Sequence, residues 1–271
     1  MAKKLCMQEL RARLHTTVIG NRILYYPSVG STNDVARTLA VAGAPEGIVV
    51  LADEQTAGRG RRGRRWLAPA GTCLLFSLLL HPPLAPHQCQ RLTMACSLAL
   101  AESVERHTGL ALGLKWPNDL LASNKKVGGI LTELGIQGER LEYAIVGIGL
   151  NVNLDFTAPE VAFLRDQATS LAQEMGAPVA REPLLACILN RLEARYLALC
   201  DGWSPRQEWT ARLVTLNQQV VLSGPGGELE GWAEGVDQDG ALLLRLEDGR
   251  VVRVLAGDVS LRPVEGQPTA I

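Results

Sequence analysis

No stretch of this 271-residue chain is apolar for long enough to cross a bilayer. The longest candidate, Cys73 to Leu80, is interrupted by Ser77 and stopped by His81-Pro82-Pro83. The first fifteen residues are basic but lack an apolar core and a small-residue cleavage site, so a secretory leader is not expected. The six cysteines form no C-x-x-C pair and have no histidine at ligand spacing, which removes the zinc and dithiol readings and suits a reducing cytoplasm. The four histidines form no H-E-x-x-H and there is no G-x-S-x-G, so the common metallohydrolase and serine-hydrolase signatures are missing and no protein-bound metal is expected. A large charge of one sign is also lacking: 27 basic against 28 acidic residues leave a net charge of -1. No global field exists to hold a polyanion, and any work on anions must be local.

What is present reads as mixed α and β. Apolar spacing at Leu5, Leu10 and Leu14 suggests a short first helix. A strand over "RILYYP" and a helix over "STNDVARTLAVAG" follow, the helix capped by Ser31-Thr32-Asn33 and stopped at Gly43. "GIVVLADEQ" and "GTCLLFSLLL" read as strands, the second buried on both faces. Between Pro86 and Gly109, residues Leu92, Cys96, Ala99, Leu100 and Val104 share one side of a core helix. Three strands are then expected, "LGLKW", "KVGGILTEL" and "RLEYAIVGIGLNVN", with Ser123-Asn124-Lys125 as a tight antiparallel turn before the second. Helices are expected over 182–199 and 205–216. Beyond Leu216 only short strands remain: "QQVVLSG", "LEGWAEGVD", "ALLLRLE" and "RVVRVLAGDVSLR", separated by glycine turns. That pattern predicts a small all-β barrel, giving two domains, 1–216 and 217–271.

The most unusual stretch is "GRGRRGRRW", Gly58 to Trp66, with five arginines among three glycines. It matches G-x-G-x-x-G, but a dinucleotide site needs a helix to start there, and Pro69 and Gly71 argue for a loop. A nucleic-acid patch is weakened by Asp53 and Glu54 upstream and by the near-neutral chain. The third reading is a glycine-hinged loop whose guanidinium groups fork onto a small, multiply charged ligand.

Taken in order, "STND" (31–34), "EQTAGRGRRGRRW" (54–66), "KWPNDLL" (115–121), "KVGGILTEL" (126–134) and "GIGLNVN" (147–153) closely resemble a biotin protein ligase. The resemblance runs from about Ile23 to Arg262. It implies an α+β fold of the class II aminoacyl-tRNA-synthetase and biotin ligase type: a mixed sheet with flanking helices, followed by an SH3-like C-terminal barrel. It further implies ATP-dependent ligation of biotin, with Mg2+, through biotinyl-5'-AMP to a lysine of a biotin carboxyl carrier protein. No winged helix fits before residue 22, so the expectation is a monofunctional ligase without DNA binding or membrane attachment. A homodimer is left open.

Carried over residue by residue, the resemblance puts Lys126 and Arg61 about the biotin carboxylate and α-phosphate. Ser31, Thr32, Asn33 and Gln55 fall on the biotin ureido group, and Gly58, Arg59 and Gly129 on the wall and close approach to biotin. Trp66, Asn118, Asn151 and Arg262 fall on the adenylate. Arg62, Arg64 and Arg65 are expected to be solvated. For Asp119 three roles stay open: meeting the incoming lysine amine, assisting Mg2+, or pairing with Lys115. Each residue also has a plain structural reading: a helix cap for Ser31 and Thr32, core packing for Trp66, a solvated strand end for Lys126. The rival activities are a lipoate or octanoate ligase or transferase on the same fold, and a nucleic-acid-binding regulator.

Overall fold

The apolar run at 73–80 becomes the third strand of a seven-stranded sheet. The computed structural model describes residues 4–261 apart from 225, 226 and 256. Its first sheet contains β1 (Arg22–Tyr26), β2 (Ile48–Ala52), β3 (Cys73–Leu80), β4 (Gly113–Lys115), β5 (Asp119–Ala122), β6 (Lys125–Gln137) and β7 (Arg140–Asn151). The order is β1-β2-β3-β7-β6-β5-β4, with β1 and β2 parallel and the other pairs antiparallel. The helices are α1 (Met7–Arg11), α2 (Thr32–Val41), α3 (Gln90–Thr108), α4 (Leu171–Met175), α5 (Arg181–Cys200) and α6 (Arg206–Ala211).

Strand alternation decides which face does what. On β3, Leu74, Phe76, Leu78 and Leu80 join the large core with Leu92, Leu98 and Leu100 of α3 and Leu185, Ile188 and Leu189 of α5. Leu79 on the other face packs with Ile145, Ala36 and Ala40 beneath α2. A layer of helices thus seals one face, while α2 covers only part of the other. The uncovered remainder of that face holds the site.

Two polar anchors fix the frame. Arg181 at the start of α5 and Asp53 just after β2 are both buried and pair at 3.0 Å, with the Tyr25 hydroxyl donating to the same carboxylate. The arginine loop therefore leaves the sheet from a rigid point. Glu193 of α5 accepts from the backbone N–H groups of Thr17, Val18 and Ile19 at 2.6–2.7 Å, tying down the turn before β1.

A second, antiparallel sheet has the order β11-β10-β9-β8-β12. Its strands are β8 (Gln219–Gly224), β9 (Gly227–Val236), β10 (Leu242–Arg245), β11 (Val251–Val254) and β12 (Asp258–Leu261). It docks on the first through Trp116, whose indole N–H donates to the Gly240 carbonyl at 2.9 Å, and through the Arg91–Asp239 ion pair at 2.8 Å.

Three expectations need correction. "DLLA" is itself a strand, and the two residues with positive φ, Ser123 and Asn124, turn it directly into β6. The helix expected to reach residue 216 ends at Ala211, because Leu213 instead bridges Leu114 in parallel at the edge of the first sheet. The segment read as one final strand is two: β11 lies on one edge of the second sheet and β12 on the other, so the chain must cross between them.

Candidate active site

The site follows from strand register. Leu75, Gly149, Gly129 and Asp119 are successive partners across β3, β7, β6 and β5, and in the next row Ser77, Gly147 and Leu131 are partners. Glycine at 147, 149 and 129 hollows the sheet where those rows cross its open face. A Cβ on Gly149 would lie 2.6 Å from the Trp66 ring and one on Gly147 2.2 Å from Asn33 Oδ1. The sheet is thus cut away for the side chains that descend onto it from the loop and from α2.

A polar floor lies under the α2 end. Gln55 Oε1 accepts from the Thr32 backbone N–H at 2.7 Å and from its hydroxyl at 3.0 Å, so Gln55 supplies the cap of α2. Ser31 stands at the N-cap position but makes no side-chain cap bond, a correction to the expected capping role. Ser77, fully buried, donates to Asn33 Oδ1 at 2.6 Å and lies 2.7 Å from the Thr32 hydroxyl. Asn33 Nδ2 in turn donates to Glu133 at 2.6 Å. These neutral donors and acceptors are held rigidly, and Ser31, Thr32, Asn33, Gln55 and Gly129 all line one cavity of about 130 Å³.

The other end of that cavity is cationic. Lys126 Nζ lies 2.7 Å from Asp119 Oδ1 and 5.5 Å from the centroid of the Trp66 ring. The direct ion-pair partner of Asp119 is thus Lys126, a contact not among the three roles left open for it and compatible with each. Arg61 donates to the Gly257 carbonyl at 3.1 Å and to Asn118 Oδ1 at 3.3 Å. Burial pushes the Arg61 guanidinium below its ordinary pKa while Asp119 pulls it back up, and the same two influences act on Lys115. Three cations therefore share the carboxylate of Asp119, an arrangement that favours a further anion.

A second cavity, of about 460 Å³, adjoins the first and shares Arg64, Arg65, Trp66, Asp119 and Lys126 with it. It continues past Lys115, Asn124 and Phe156 to Asn151. Trp66 stands at the junction, and its buried Nε1 has no hydrogen-bond partner among the described residues. A buried donor calls for an acceptor, and this one borders the ligand space. Packing and contact roles coincide in Trp66, since its ring also fills the space over Gly149.

Comparison with known proteins decides the family. Residues 25–151 match the model of the biotin/lipoate A/B protein ligase family, and residues 215–262 match the biotin protein ligase C terminal domain. A biotin--[acetyl-CoA-carboxylase] ligase of Paracoccus denitrificans is 38% identical over 230 residues, covering 82% of this chain and 93% of the relative. The chain belongs to the biotin protein ligase family. The bifunctional ligase/repressor BirA of Bacillus subtilis is 35% identical over 263 residues, covering 95% of this chain and 79% of the relative. Among solved structures, biotin protein ligase from Aquifex aeolicus in complex with biotin and ATP superimposes with a TM-score of 0.75 at 30% identity, over 90% of this chain and all of that one.

Ser31, Thr32, Asn33, Gln55, Arg59, Arg61, Trp66, Asn118, Asp119, Lys126 and Gly129 all line the first cavity. Gly58 does not; it packs against Gln55 and accepts from the Trp66 backbone N–H at 3.0 Å, closing the base of the loop. Asn151 borders only the second cavity, and its amide is occupied, donating to Thr169 O at 3.0 Å and accepting from Cys73. Asn118 braces Arg61 and donates to Ile130 O. Arg262 lies outside the described residues. Arg62, Arg64 and Arg65 are exposed, as expected, and Arg62 and Arg64 in addition pair with Asp258 of β12, because the loop leans on the second sheet.

Ser77, Gly147, Gly149, Glu133 and Asp258 belong to the site without standing out as ligand candidates in the sequence. Ser77 was visible as the lone polar residue in β3. The alternate glycines of "GIGLN" were visible too, but their meaning depends on which strand lies opposite.

Proposed function

We propose that the chain joins biotin to ATP and passes it to a lysine of a biotin carboxyl carrier protein. The carrying observation is the meeting of the two cavities at Lys126, Asp119 and Trp66, with Arg61 and Lys115 beside them. The polar floor of Ser31, Thr32, Asn33 and Gln55 suits the donors and acceptors of a ureido ring, and the larger cavity suits a nucleotide. We assign residues 1–216 to the catalytic domain and 217–271 to the C-terminal domain.

In the first step a biotin carboxylate oxygen attacks the α-phosphorus of ATP, and the bond to pyrophosphate breaks, leaving biotinyl-5'-AMP. Two anions must approach, so their repulsion sets the barrier. Lys126 and Arg61, fixed in advance by Asp119, Asn118 and the Gly257 carbonyl, lower it without reorganising. In the second step the carrier lysine amine attacks the acyl carbonyl and AMP leaves. We assign to Asp119, at the junction of the two cavities, the proton that the amine sheds.

Among the described residues no three His, Cys, Asp or Glu gather as a metal site, and the carboxylate in the cleft is tied to Lys126. The described residues thus offer no ready-made cage of carboxylates for Mg2+. Mg2+ belongs here with the nucleotide's phosphates, whose charge it partly neutralises.

The six cysteines are all free, as suits a cytoplasmic enzyme. Among the described residues no helix is long and apolar enough to cross a membrane.

The deciding experiment incubates purified protein, ATP and Mg2+ with a carrier domain and equal biotin, lipoate and octanoate, followed by a streptavidin blot and mass measurement. Biotin on the carrier, dependent on ATP, is expected. Lipoylation or octanoylation without biotinylation would overturn the reading in favour of the sister activities.

A further inference from the structure

The expected ligand residue Arg59 has its guanidinium tied to a carboxylate of the protein. Arg59 lines the cavity wall, and its guanidinium forks onto Asp34 in the first turn of α2, with Nη1 2.8 Å from Oδ2 and Nη2 on Oδ1. Paired N–H groups on both oxygens of one carboxylate make a directional contact, stiffer than a point-charge pair. Each partner registers the other: the guanidinium holds the Asp34 carboxyl below its ordinary range, and the carboxylate holds Arg59 above its own.

The contact does not end there. Arg37, one turn along α2, donates to Asp34 Oδ1 at 2.8 Å and to Glu133 Oε1 at 2.6 Å. Glu133 Oε2 accepts from Asn33 Nδ2, and Asn33 is seated over Gly147 at the cavity floor. An unbroken series therefore runs Arg59, Asp34, Arg37, Glu133, Asn33, joining the near arm of the loop to the residues beneath the ligand. Asp34 and Glu133 do not line the cavity, so neither acts by touching what is inside it.

We infer that Asp34 is a positioning residue of this active site. It stakes the near arm of the arginine loop to α2 and couples loop closure to the cavity floor. This rests on the ligase reading above and deepens it. With the stake in place the loop stays down over the acyl-adenylate until the carrier lysine arrives; without it, the loop opens early and the intermediate escapes to solvent.

The test compares wild type with Asp34→Asn and Asp34→Glu. Each is loaded with radiolabelled biotin and ATP, and release of biotinyl-5'-AMP is timed by filter binding after dilution into unlabelled biotin. Asp34 and Arg59 side chains are 43% and 37% exposed, so the effect is bounded by what a half-exposed pair supplies. Release from Asp34→Asn should be about threefold to fivefold faster, with more biotin on bystander lysines and an unchanged thermal midpoint. Asp34→Glu, which keeps the carboxylate, should recover most of the retention. Release from a folded Asp34→Asn equal to wild type would overturn the assignment. So would faster release accompanied by a fall in thermal midpoint that Asp34→Glu does not correct, which is the mark of a residue that only holds α2. Wild type that forms no adenylate would defeat the ligase reading itself and the assignment with it.

Discussion

Asn33 occupies the space that a side chain on Gly147 would need. The two meet because β7 runs beneath the N-terminus of α2, and a Cβ at 147 would fall 2.2 Å from Asn33 Oδ1. Asn33 is buried and bonded to both Ser77 and Glu133, so it has little freedom to give way. Gly147→Ala should therefore lose about 1–3 kcal/mol of stability by overpacking and weaken biotin binding about tenfold. Chemical denaturation and biotin titration check both. Removing the clashing group in the Gly147→Ala, Asn33→Ala double variant should return stability and leave the binding defect, since neighbours of this kind are not additive.

Lys126→Ala separates chemistry from folding. The lysine is 34% exposed at the start of β6, so its loss should leave the thermal midpoint almost unchanged. It stands within reach of both cavities, and pyrophosphate release in the presence of biotin and ATP should fall by a factor on the order of 100 or more. Asp119→Asn unhooks the same ammonium from its partner and should slow pyrophosphate release about tenfold. Normal release from folded Lys126→Ala would remove this lysine from the first step.

Much of this was legible in order and little of it in depth. Strand β3, helix α3 and helix α5 announce themselves through periodicity, and the loop between β2 and β3 stands out by composition alone. Lys126, Arg61 and the Ser31 to Asn33 turn belong to contiguous motifs, so a linear reading reaches them. Ser77 and Gly147 acquire a role only because β3, β7 and β6 happen to be neighbours, and register is a non-local property. Asp258 lies nearly 200 residues from Arg64 in the chain, and nothing along that interval signals that the two will meet. The mistaken extension of α6 has the same origin: local preference favours helix, while pairing of Leu213 with Leu114 supplies backbone partners that a helix would forgo.

Acid should weaken the frame through Glu193. Burial raises this carboxyl's pKa, but the backbone bonds from Thr17, Val18 and Ile19 outweigh it, and the net position is below the ordinary glutamate range. A depressed folded-state pKa contributes stability that is present above the unfolded value of about 4.3 and is lost as pH falls through the folded one. Glu193→Gln should cost about 1–2 kcal/mol at neutral pH, with part of that difference disappearing below about pH 4. Urea midpoints of the two proteins measured from pH 7 down to pH 3 should converge; parallel curves would show that the charge is not what holds the turn.

The far arm of the arginine loop depends on the second sheet. Arg62 and Arg64 converge on the Asp258 carboxylate, and Arg61 donates to the neighbouring Gly257 carbonyl. Arg64 is 62% exposed, so its pairing alone is weak, and the hold comes from three arginines meeting one strand end. Asp258→Ala removes two of those contacts and leaves the backbone acceptor. The loop should then open more often, and trypsin should cut after Arg62, Arg64 or Arg65 about threefold faster. Biotin with ATP should protect wild type more than the variant, because only wild type can close both ends of the loop. Equal cleavage rates in both proteins, with and without ligands, would mean that the second sheet plays no part in holding the loop down.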